Sequence, residues 1–203
     1  MQVEAIIFSI VILVISVVIH EVAHGVMAYW LGDSTAKLAG RLTLNPIPHI
    51  DPLGSVILPL FMALASGGSF IVGWAKPVPY NPYNLKVGKG GPAYVAIAGP
   101  ASNLLLAAIF GLILRFNLVA SEAMNQFFVQ IVLVNIMLAV FNLIPIPPLD
   151  GSKVLFSALP YRLQYIEQFL NQYQLIFLLA FVWWGGAVIL PITFVIFRLM
   201  VGG

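Results

Sequence analysis

The feature that most constrains this chain is an apolar run from about Ala5 to Leu31 that contains the motif HEVAH. The run is longer than the ~20 residues that a helix needs to cross a bilayer. In a helix each residue advances by about 100°, so His20, Glu21 and His24 share one arc of the surface. Two imidazoles one turn apart can bind one metal ion, and the carboxylate faces the same space. The spacing therefore favours a zinc site with an adjacent base.

Other interpretations of the motif remain open. HExxH also occurs in soluble helices as part of a polar face, but here both flanks are apolar, so no such face exists. Ionisable groups inside a bilayer cost on the order of several kcal/mol and usually serve a function. A divalent-metal transporter would also place His and Glu in a membrane helix. Many transporters contain an internal repeat, which this chain does not show.

The composition indicates a membrane protein with very little soluble portion. Of the 203 residues, 61% are hydrophobic and 8% are charged, whereas a soluble domain has about 25% charged residues. The net charge of +2 is too small to indicate nucleic-acid binding. Because the sequence contains no Cys, a metal would be bound by His, Asp or Glu. We expect residues 1–203 to form one integral membrane domain whose first helix is retained rather than cleaved as a signal peptide.

The fold class that we predict is an all-α polytopic membrane protein with short β-strands at the membrane surface. A fifth apolar segment, 53–73, contains Pro59 and the pair Gly67–Gly68, which suit a re-entrant or broken segment, although a plain helix is the alternative. Residues 152–172 are expected to hold a short interfacial helix. Four full transmembrane helices are predicted, at residues 4–31, 93–116, 126–146 and 174–199.

Two polar stretches are candidates for surface strands. The first is GRLTL, which ends at Leu44, and the second is the proline-rich stretch 74–92. Prolines forbid a central strand but allow an edge strand, and an edge beside a proteolytic centre could pair with substrate backbone by strand addition. A plain connector is the alternative interpretation. The candidate substrate-binding residues are Pro77, Val78, Pro79, Tyr80 and Asn81.

Helix 93–116 carries small residues and one amide side chain. Ala96, Gly99 and Ala101 would let another helix approach closely. Asn103 is an intramembrane amide in the same helix. We expect Gly99 and Asn103 to support the site through packing rather than to take part in the chemistry directly.

A third metal ligand is expected outside the first helix, and two residues compete for this role. His49 lies in a polar loop, where a single His is more often an ordinary surface residue. Asp150 precedes Gly151, and this dipeptide alone would indicate a turn. Asp150 nevertheless lies beside a membrane helix in a chain that has only three Asp. Two His and one carboxylate form an established catalytic zinc set, which favours Asp150 over His49.

With HEVAH, AGPASN and NLIPIPPLDG in this order, the chain resembles the site-2 protease family of intramembrane zinc metalloproteases. The stretches GRLTLNPIPHIDPLG and GWAKPVPYNPYN are similar to a compact prokaryotic branch of it. The resemblance covers roughly residues 15–155, which we take as the catalytic core, and it leaves the helix at 174–199 outside. Family members often carry a PDZ domain, for which this chain has no room, so substrate selection needs another explanation.

The resemblance implies a role for each matching residue. His20, His24 and Asp150 match the ligands of one Zn²⁺, and Glu21 matches the general base. Asn142 matches an Asn that assists at the scissile carbonyl. The implied function is regulated intramembrane proteolysis, in which a peptide bond in or near the transmembrane segment of a membrane-protein substrate is hydrolysed within the lipid bilayer.

The basic residues favour one orientation in the cell membrane. If 53–73 enters and leaves on one side, only Arg115 and Arg198 of the nine Lys and Arg residues lie on the side opposite His24 and Asp150. Because cytoplasmic loops are rich in Lys and Arg, we predict an N-terminus outside the cell and an active site nearer the cytoplasm. A full crossing would instead separate His24 and Asp150 by a core ~30 Å thick.

Overall fold

The computed structural model describes residues 2–57, 61 and 73–202, and every regular element in this part of the chain is a helix. The long helices are α1 (Gln2–Trp30), α3 (Gly91–Arg115) and α4 (Glu122–Asn142). The shorter helices are α2 (Thr35–Leu38), α5 (Asp150–Ala158), α6 (Gln164–Gln172), α7 (Gln174–Trp184) and α8 (Gly186–Val201). Short 3-10 or π-helical turns occupy Ile47–His49, Pro52–Ile57, Pro82–Asn84, Gly88–Gly90 and Tyr161–Leu163.

Among the residues that the structure describes, three helices, α1, α3 and α4, are long and apolar enough to cross a membrane. Helices α7 and α8 together would provide a fourth span, but they are bent by 63° relative to each other. The bend falls at Gly185, so the span predicted for 174–199 consists of two helices rather than one. The prediction of an all-α protein with several membrane helices is confirmed.

The predicted surface strands are wrong for the residues that the structure describes. Near Trp74 the chain makes two isolated backbone hydrogen bonds, from Trp74 N to Gly54 O (3.0 Å) and from Lys76 N to His49 O (2.9 Å). Proline has no N–H group, so the prolines that follow cannot extend these two bonds into a ladder. These two hydrogen bonds therefore hold the start of the proline-rich stretch against residues 49–54, but the stretch does not form a strand.

The apolar segment 53–73 lies largely outside the described residues, and its re-entrant course stays a prediction. Its two ends are described and lie side by side. Ser55 Oγ donates to Trp74 O at 2.8 Å, next to the bond between Trp74 and Gly54. A single crossing of a core ~30 Å thick would separate these ends, so their contact supports the re-entrant interpretation.

Helix α3 lies at the centre of the bundle and contacts α1, α4, α5 and α8. Its Ala107 packs with Val132, Ile136 and Val140 of α4 in a buried apolar cluster. Of the three small residues predicted to let another helix approach α3, Ala96 and Gly99 are buried and Ala101 is exposed. The site described below is built around this central helix.

Contacts outside the helices show which segments share an end of the bundle. The ammonium of Lys89, just before α3, donates to Leu159 O, just after α5. At the other end, Arg115 Nη1 donates to Leu199 O at 2.9 Å. Helix α1 finishes at the end that holds α5, because Lys86 N, close to Lys89, donates to Leu31 O at 2.9 Å. Helix α4 finishes there too, because it ends at Asn142, shortly before α5 begins.

A buried carboxylate, Asp33, connects the turn after α1 to the proline-rich stretch. It is fully buried and accepts hydrogen bonds from Thr35, from Asn81 N (2.7 Å) and from Asn84 Nδ2 (2.9 Å). Burial by itself raises the pKa of the Asp33 carboxyl, but these hydrogen bonds outweigh it and hold the pKa below its ordinary value.

We expect Asp33→Asn to destabilise the protein, because an amide cannot accept all of these hydrogen bonds. The expected loss is about 1–3 kcal/mol at pH 7. A lowered folded-state pKa stabilises above the unfolded pKa of about 4, and this contribution is lost as the pH falls through the folded pKa. Thermal unfolding in detergent should therefore give Asp33→Asn a lower melting temperature than wild type at pH 7. The gap between the two melting temperatures should narrow below about pH 4. Equal melting temperatures at pH 7 would contradict this role, and Glu122→Gln, at an exposed carboxylate, is the control.

Candidate metal centre

Helical periodicity and tertiary packing together form a cluster of metal-binding side chains. His20, Glu21 and His24 lie on one arc of α1, with one potential ligand atom from each within 4.8 Å of the others. Asp150 is the first residue of α5 and comes from a distant part of the sequence. His20, His24 and Asp150 are all buried.

The ligand atoms of three of these residues form a nearly equilateral triangle. His20 Nε2 lies 3.1 Å from Asp150 Oδ2, His24 Nε2 lies 3.0 Å from the same oxygen, and the two Nε2 atoms are 3.0 Å apart. Tetrahedral zinc with bonds of about 2.0–2.1 Å places its ligand atoms ~3.3 Å from each other. The triangle therefore matches three corners of a zinc tetrahedron.

Hydrogen bonds on the far side of each imidazole decide which nitrogen faces the triangle. His20 Nδ1 donates to Asn103 Oδ1 at 2.6 Å, and His24 Nδ1 donates to Val95 O at 2.7 Å. Both partners are oxygen acceptors, so both Nδ1 atoms carry the proton and both Nε2 atoms present lone pairs. Two lone pairs and a carboxylate oxygen at ~3 Å repel each other unless a positive charge lies between them. This arrangement fits a divalent metal ion.

Asn103 is held in the required orientation by a buried polar network. Its Nδ2 donates to Asn135 Oδ1 (2.9 Å) and to Ser16 O (3.2 Å), while Asn135 Nδ2 donates to Ser16 Oγ (3.0 Å). The amide oxygen of Asn103 must therefore face His20. Sequence reasoning missed Asn135 and Ser16, although polar residues inside apolar helices are a usable signal.

Three residues spaced four apart on α3 form the wall behind the two histidines. Val95 and Asn103 accept the Nδ1 protons, and Gly99 lies between them. A Cβ atom on Gly99 would lie 2.5 Å from His24 Nε2 and 2.6 Å from His20 Cε1. Gly99 and Asn103, which the sequence suggested as support, therefore contact the cluster directly.

Asp150 interacts through both of its carboxylate oxygens. Oδ2 belongs to the triangle, and Oδ1 lies 3.1 Å from Lys153 Nζ, one helical turn further along α5. The positive charge of Lys153 stabilises the ionised form of the Asp150 carboxyl. Lys153 was not among the predicted site residues, and its i, i+3 spacing from Asp150 is the signal that could have found it.

The cluster opens into a cavity of about 150 Å³ that Glu21 also lines. Glu21 Oε2 accepts a hydrogen bond from Val78 N at 2.8 Å. The cavity is smaller than typical ligand pockets of ~300–1,000 Å³, and a helix with side chains is ~10–12 Å wide. A peptide could therefore reach the cluster only as an unwound chain.

Most of the predicted site residues converge on this cavity. Pro77, Val78, Tyr80 and Asn142 line it. Asn142 Nδ2 donates to Leu138 O of its own helix at 2.9 Å. Of the other two predicted substrate contacts, Pro79 and Asn81, neither lines the cavity, and Asn81 N donates to Asp33.

His49, the competitor for the role of third ligand, lies apart from the cluster. It does not line the cavity, and its Nε2 lies 3.0 Å from Thr43 O. The side chain is buried in the loop that follows α2. The described structure therefore gives His49 a local packing role.

Sequence comparisons with known proteins identify relatives that are named zinc metalloproteases. The model of peptidase family M50 matches residues 115–182, which include Asn142 and Asp150. "Putative zinc metalloprotease YwhC" of Bacillus subtilis is 39% identical over 161 residues, which cover 75% of this chain and 69% of that protein. Two proteins named "Putative zinc metalloprotease Rip2" are each 32% identical to this chain. The match to the Mycobacterium tuberculosis protein covers 82% of this chain and 62% of that protein. The match to the Mycolicibacterium smegmatis protein covers 69% of this chain and 52% of that protein. No solved structure matches the chain significantly.

The apolar helices, the His–Glu–His cluster and the similarity to proteins named zinc metalloproteases together indicate a membrane protein of the metalloprotease class. The chain belongs to peptidase family M50, the site-2 proteases, which act as intramembrane proteases. The resemblance seen in the sequence is thereby confirmed, and the transporter alternative finds no support.

We expect Gly99→Ala to weaken zinc binding by at least about tenfold, because the new methyl group would displace both imidazoles. Zinc content and affinity of the purified protein measure this effect. Gly186→Ala is the control, since its Cβ would meet nothing within 4 Å. Wild-type zinc affinity in Gly99→Ala would show that the histidines can move away from α3 without losing the metal.

Proposed function

We propose that this chain hydrolyses a peptide bond in or near the transmembrane segment of a membrane-protein substrate, with the HEVAH motif as the catalytic centre. The observation that carries the proposal is the triangle formed by His20 Nε2, His24 Nε2 and Asp150 Oδ2. These three residues would hold one zinc ion. Bound zinc supplies Lewis-acid chemistry, which activates water and polarises the scissile carbonyl.

Glu21 is the general base. Its Oε2 accepts the N–H of Val78, which leaves Oε1 to receive a proton from the attacking water and to return it to the leaving amine. Glu21 lies next to a ligand in sequence and on the same arc of α1, so it faces the cavity without being needed for the triangle. Its role is proton transfer.

Asn142 assists at the scissile carbonyl. Its amide nitrogen has two N–H groups, of which one is donated to Leu138 O. The other is available to stabilise the oxyanion that develops as the carbonyl is attacked. Lys153 supports the same centre by binding the outer oxygen of Asp150, so that Oδ2 is presented to the histidines.

The substrate is held in an unwound conformation against the segment 77–81. Of the five residues predicted to contact it, Pro77, Val78 and Tyr80 line the cavity and so take this role, whereas Pro79 and Asn81 do not line it. Val78 and Asn81 donate their backbone N–H groups to Glu21 and Asp33, and prolines have none. Recognition of the substrate backbone therefore depends on carbonyl groups, on the N–H of Tyr80 and on side chains that face the cavity. This differs from the continuous strand ladder that the sequence suggested.

Glu21→Gln should separate metal binding from catalysis. We expect this variant to keep about one zinc per chain and to lose cleavage by ~10²-fold or more, because it removes the base and no ligand. His24→Ala and Asp150→Ala should lose both zinc and cleavage, whereas His49→Ala should keep both. Zinc analysis and cleavage of single-span substrates measure these effects. Cleavage by Glu21→Gln at the wild-type rate, or zinc loss confined to His49→Ala, would contradict the assignment.

The catalytic centre is nearer the cytoplasm, and the N-terminus is outside. The end of the bundle that holds α5 also carries all Lys and Arg residues except Arg115 and Arg198, which satisfies the positive-inside rule. Lys37 precedes the segment 53–73 and Lys86 follows it. Because the two ends of this segment are adjacent, both lysines lie on the same side of the membrane. The whole chain then acts as one integral membrane domain.

Single cysteines can test this orientation, because the wild-type chain has none. Lys37→Cys and Lys86→Cys should react with an impermeant thiol reagent only from the cytoplasmic side. Glu122→Cys, at the opposite end of the bundle, should react only from outside. Labelling of the first two positions from opposite sides would show that 53–73 crosses the membrane completely.

A further inference from the structure

A single backbone N–H group contacts the proposed base. Val78 N donates to Glu21 Oε2 at 2.8 Å, and both neighbours of Val78 are prolines, which have no N–H group. Val78 is therefore the one backbone donor among residues 77–79. Its side chain is also buried, so the position of this N–H depends on how the surrounding segment is held.

A buried guanidinium holds the start of this segment. Arg41 Nη2 donates to Lys76 O at 2.7 Å and approaches Pro77 O at 3.4 Å, and only 7% of the Arg41 surface is exposed. In the part of the chain that the structure describes, Arg41 makes no ion pair with a carboxylate. Its Nε has no hydrogen-bond partner there.

A buried charge without a counter-charge is unfavourable, so Arg41 needs strong hydrogen bonds in compensation. The bonds that it makes go to the two carbonyls immediately before Val78. Charge-assisted hydrogen bonds of this kind are short and directional. At the other end of the segment, Asn81 N donates to the buried carboxylate of Asp33. Segment 76–81 is thus fixed at both ends by buried charges of opposite sign.

We propose that Arg41 is a positioning residue for the general base: by fixing the Lys76 and Pro77 carbonyls, it holds Val78 N–H against Glu21. The inference rests on the proposed catalytic role of Glu21. A base must be held close to its productive geometry, and small displacements reduce the rate strongly. The hydrogen bond to Oε2 fixes one carboxylate oxygen and so aims the other. Arg41 itself does not line the cavity.

A pair of variants at position 78 tests the N–H directly. Val78→Ala keeps the donor and loses methyl groups, whereas Val78→Pro removes the donor and suits an extended segment that precedes another proline. We expect Val78→Pro to lower kcat per bound zinc by about tenfold or more relative to Val78→Ala, with KM changed less than about threefold. Equal kcat values in the two variants would overturn the proposal.

Arg41→Ala tests the connection to this N–H. We expect it to lower kcat per bound zinc by about tenfold, with KM nearly unchanged, and Arg41→Lys to restore part of the loss because it keeps a cationic donor. In the Val78→Pro background, Arg41→Ala should lower kcat no further, since the donor that it positions is already absent. The proposal would be overturned if Arg41→Ala left kcat unchanged or raised only KM. It would also be overturned if the losses in kcat from Arg41→Ala and Val78→Pro multiplied in the double variant.

Hydrogen exchange gives a readout that does not depend on cleavage. Arg41→Ala should accelerate amide exchange in the peptide that contains Val78, and Arg41→Lys should do so less. Unchanged exchange in Arg41→Ala would overturn the proposal. A wild type that does not cleave, or a Glu21→Gln variant that cleaves normally, contradicts the proposed function and the inference with it. A cleaving wild type beside an unimpaired Arg41→Ala contradicts the inference alone.

Discussion

The structure depends on the convergence of two imidazole nitrogens and one carboxylate oxygen inside an apolar helical bundle. Separations of 3.0–3.1 Å between three acceptors are unfavourable without a positive charge at their centre. The protein supplies outward-facing partners for both imidazoles, Val95 O and Asn103 Oδ1, so that the remaining nitrogens have to face inward. Metal affinity and imidazole orientation therefore have a common cause in the packing of α1 against α3.

Helix α3 connects this chemistry to the fold. Val95, Gly99 and Asn103 repeat every four residues, so one face of the helix supplies an acceptor, a gap for the imidazole rings and a second acceptor. Further along the same helix, Ala107 packs into the apolar cluster with α4. The helix that stabilises the bundle is thus also the helix that orients the ligands.

The proline-rich stretch is the second connection between fold and site. Its prolines prevent a strand ladder, and three of its N–H groups, those of Lys76, Val78 and Asn81, are donated to His49 O, to Glu21 and to Asp33. Two buried charged residues fix this stretch on either side of Val78, which contacts the base. Arg41 donates to Lys76 O, and Asp33 accepts from Asn81 N. Their positions in the fold explain why a chain with so few charged residues buries these two in addition to Asp150.

The sequence by itself determined the membrane helices and the His20–Glu21–His24 arc, because both follow from local periodicity and apolar length. Family motifs added Asp150 and Asn142, and the structure brings both to the cavity. Only the tertiary structure decided which backbone groups serve the site. Every residue has a carbonyl and nearly every residue an N–H, so the roles of Val95 O and Val78 N have no signature in sequence. They follow from contacts between segments far apart in the chain, which also explains why an edge strand was predicted where a side-chain-anchored segment exists.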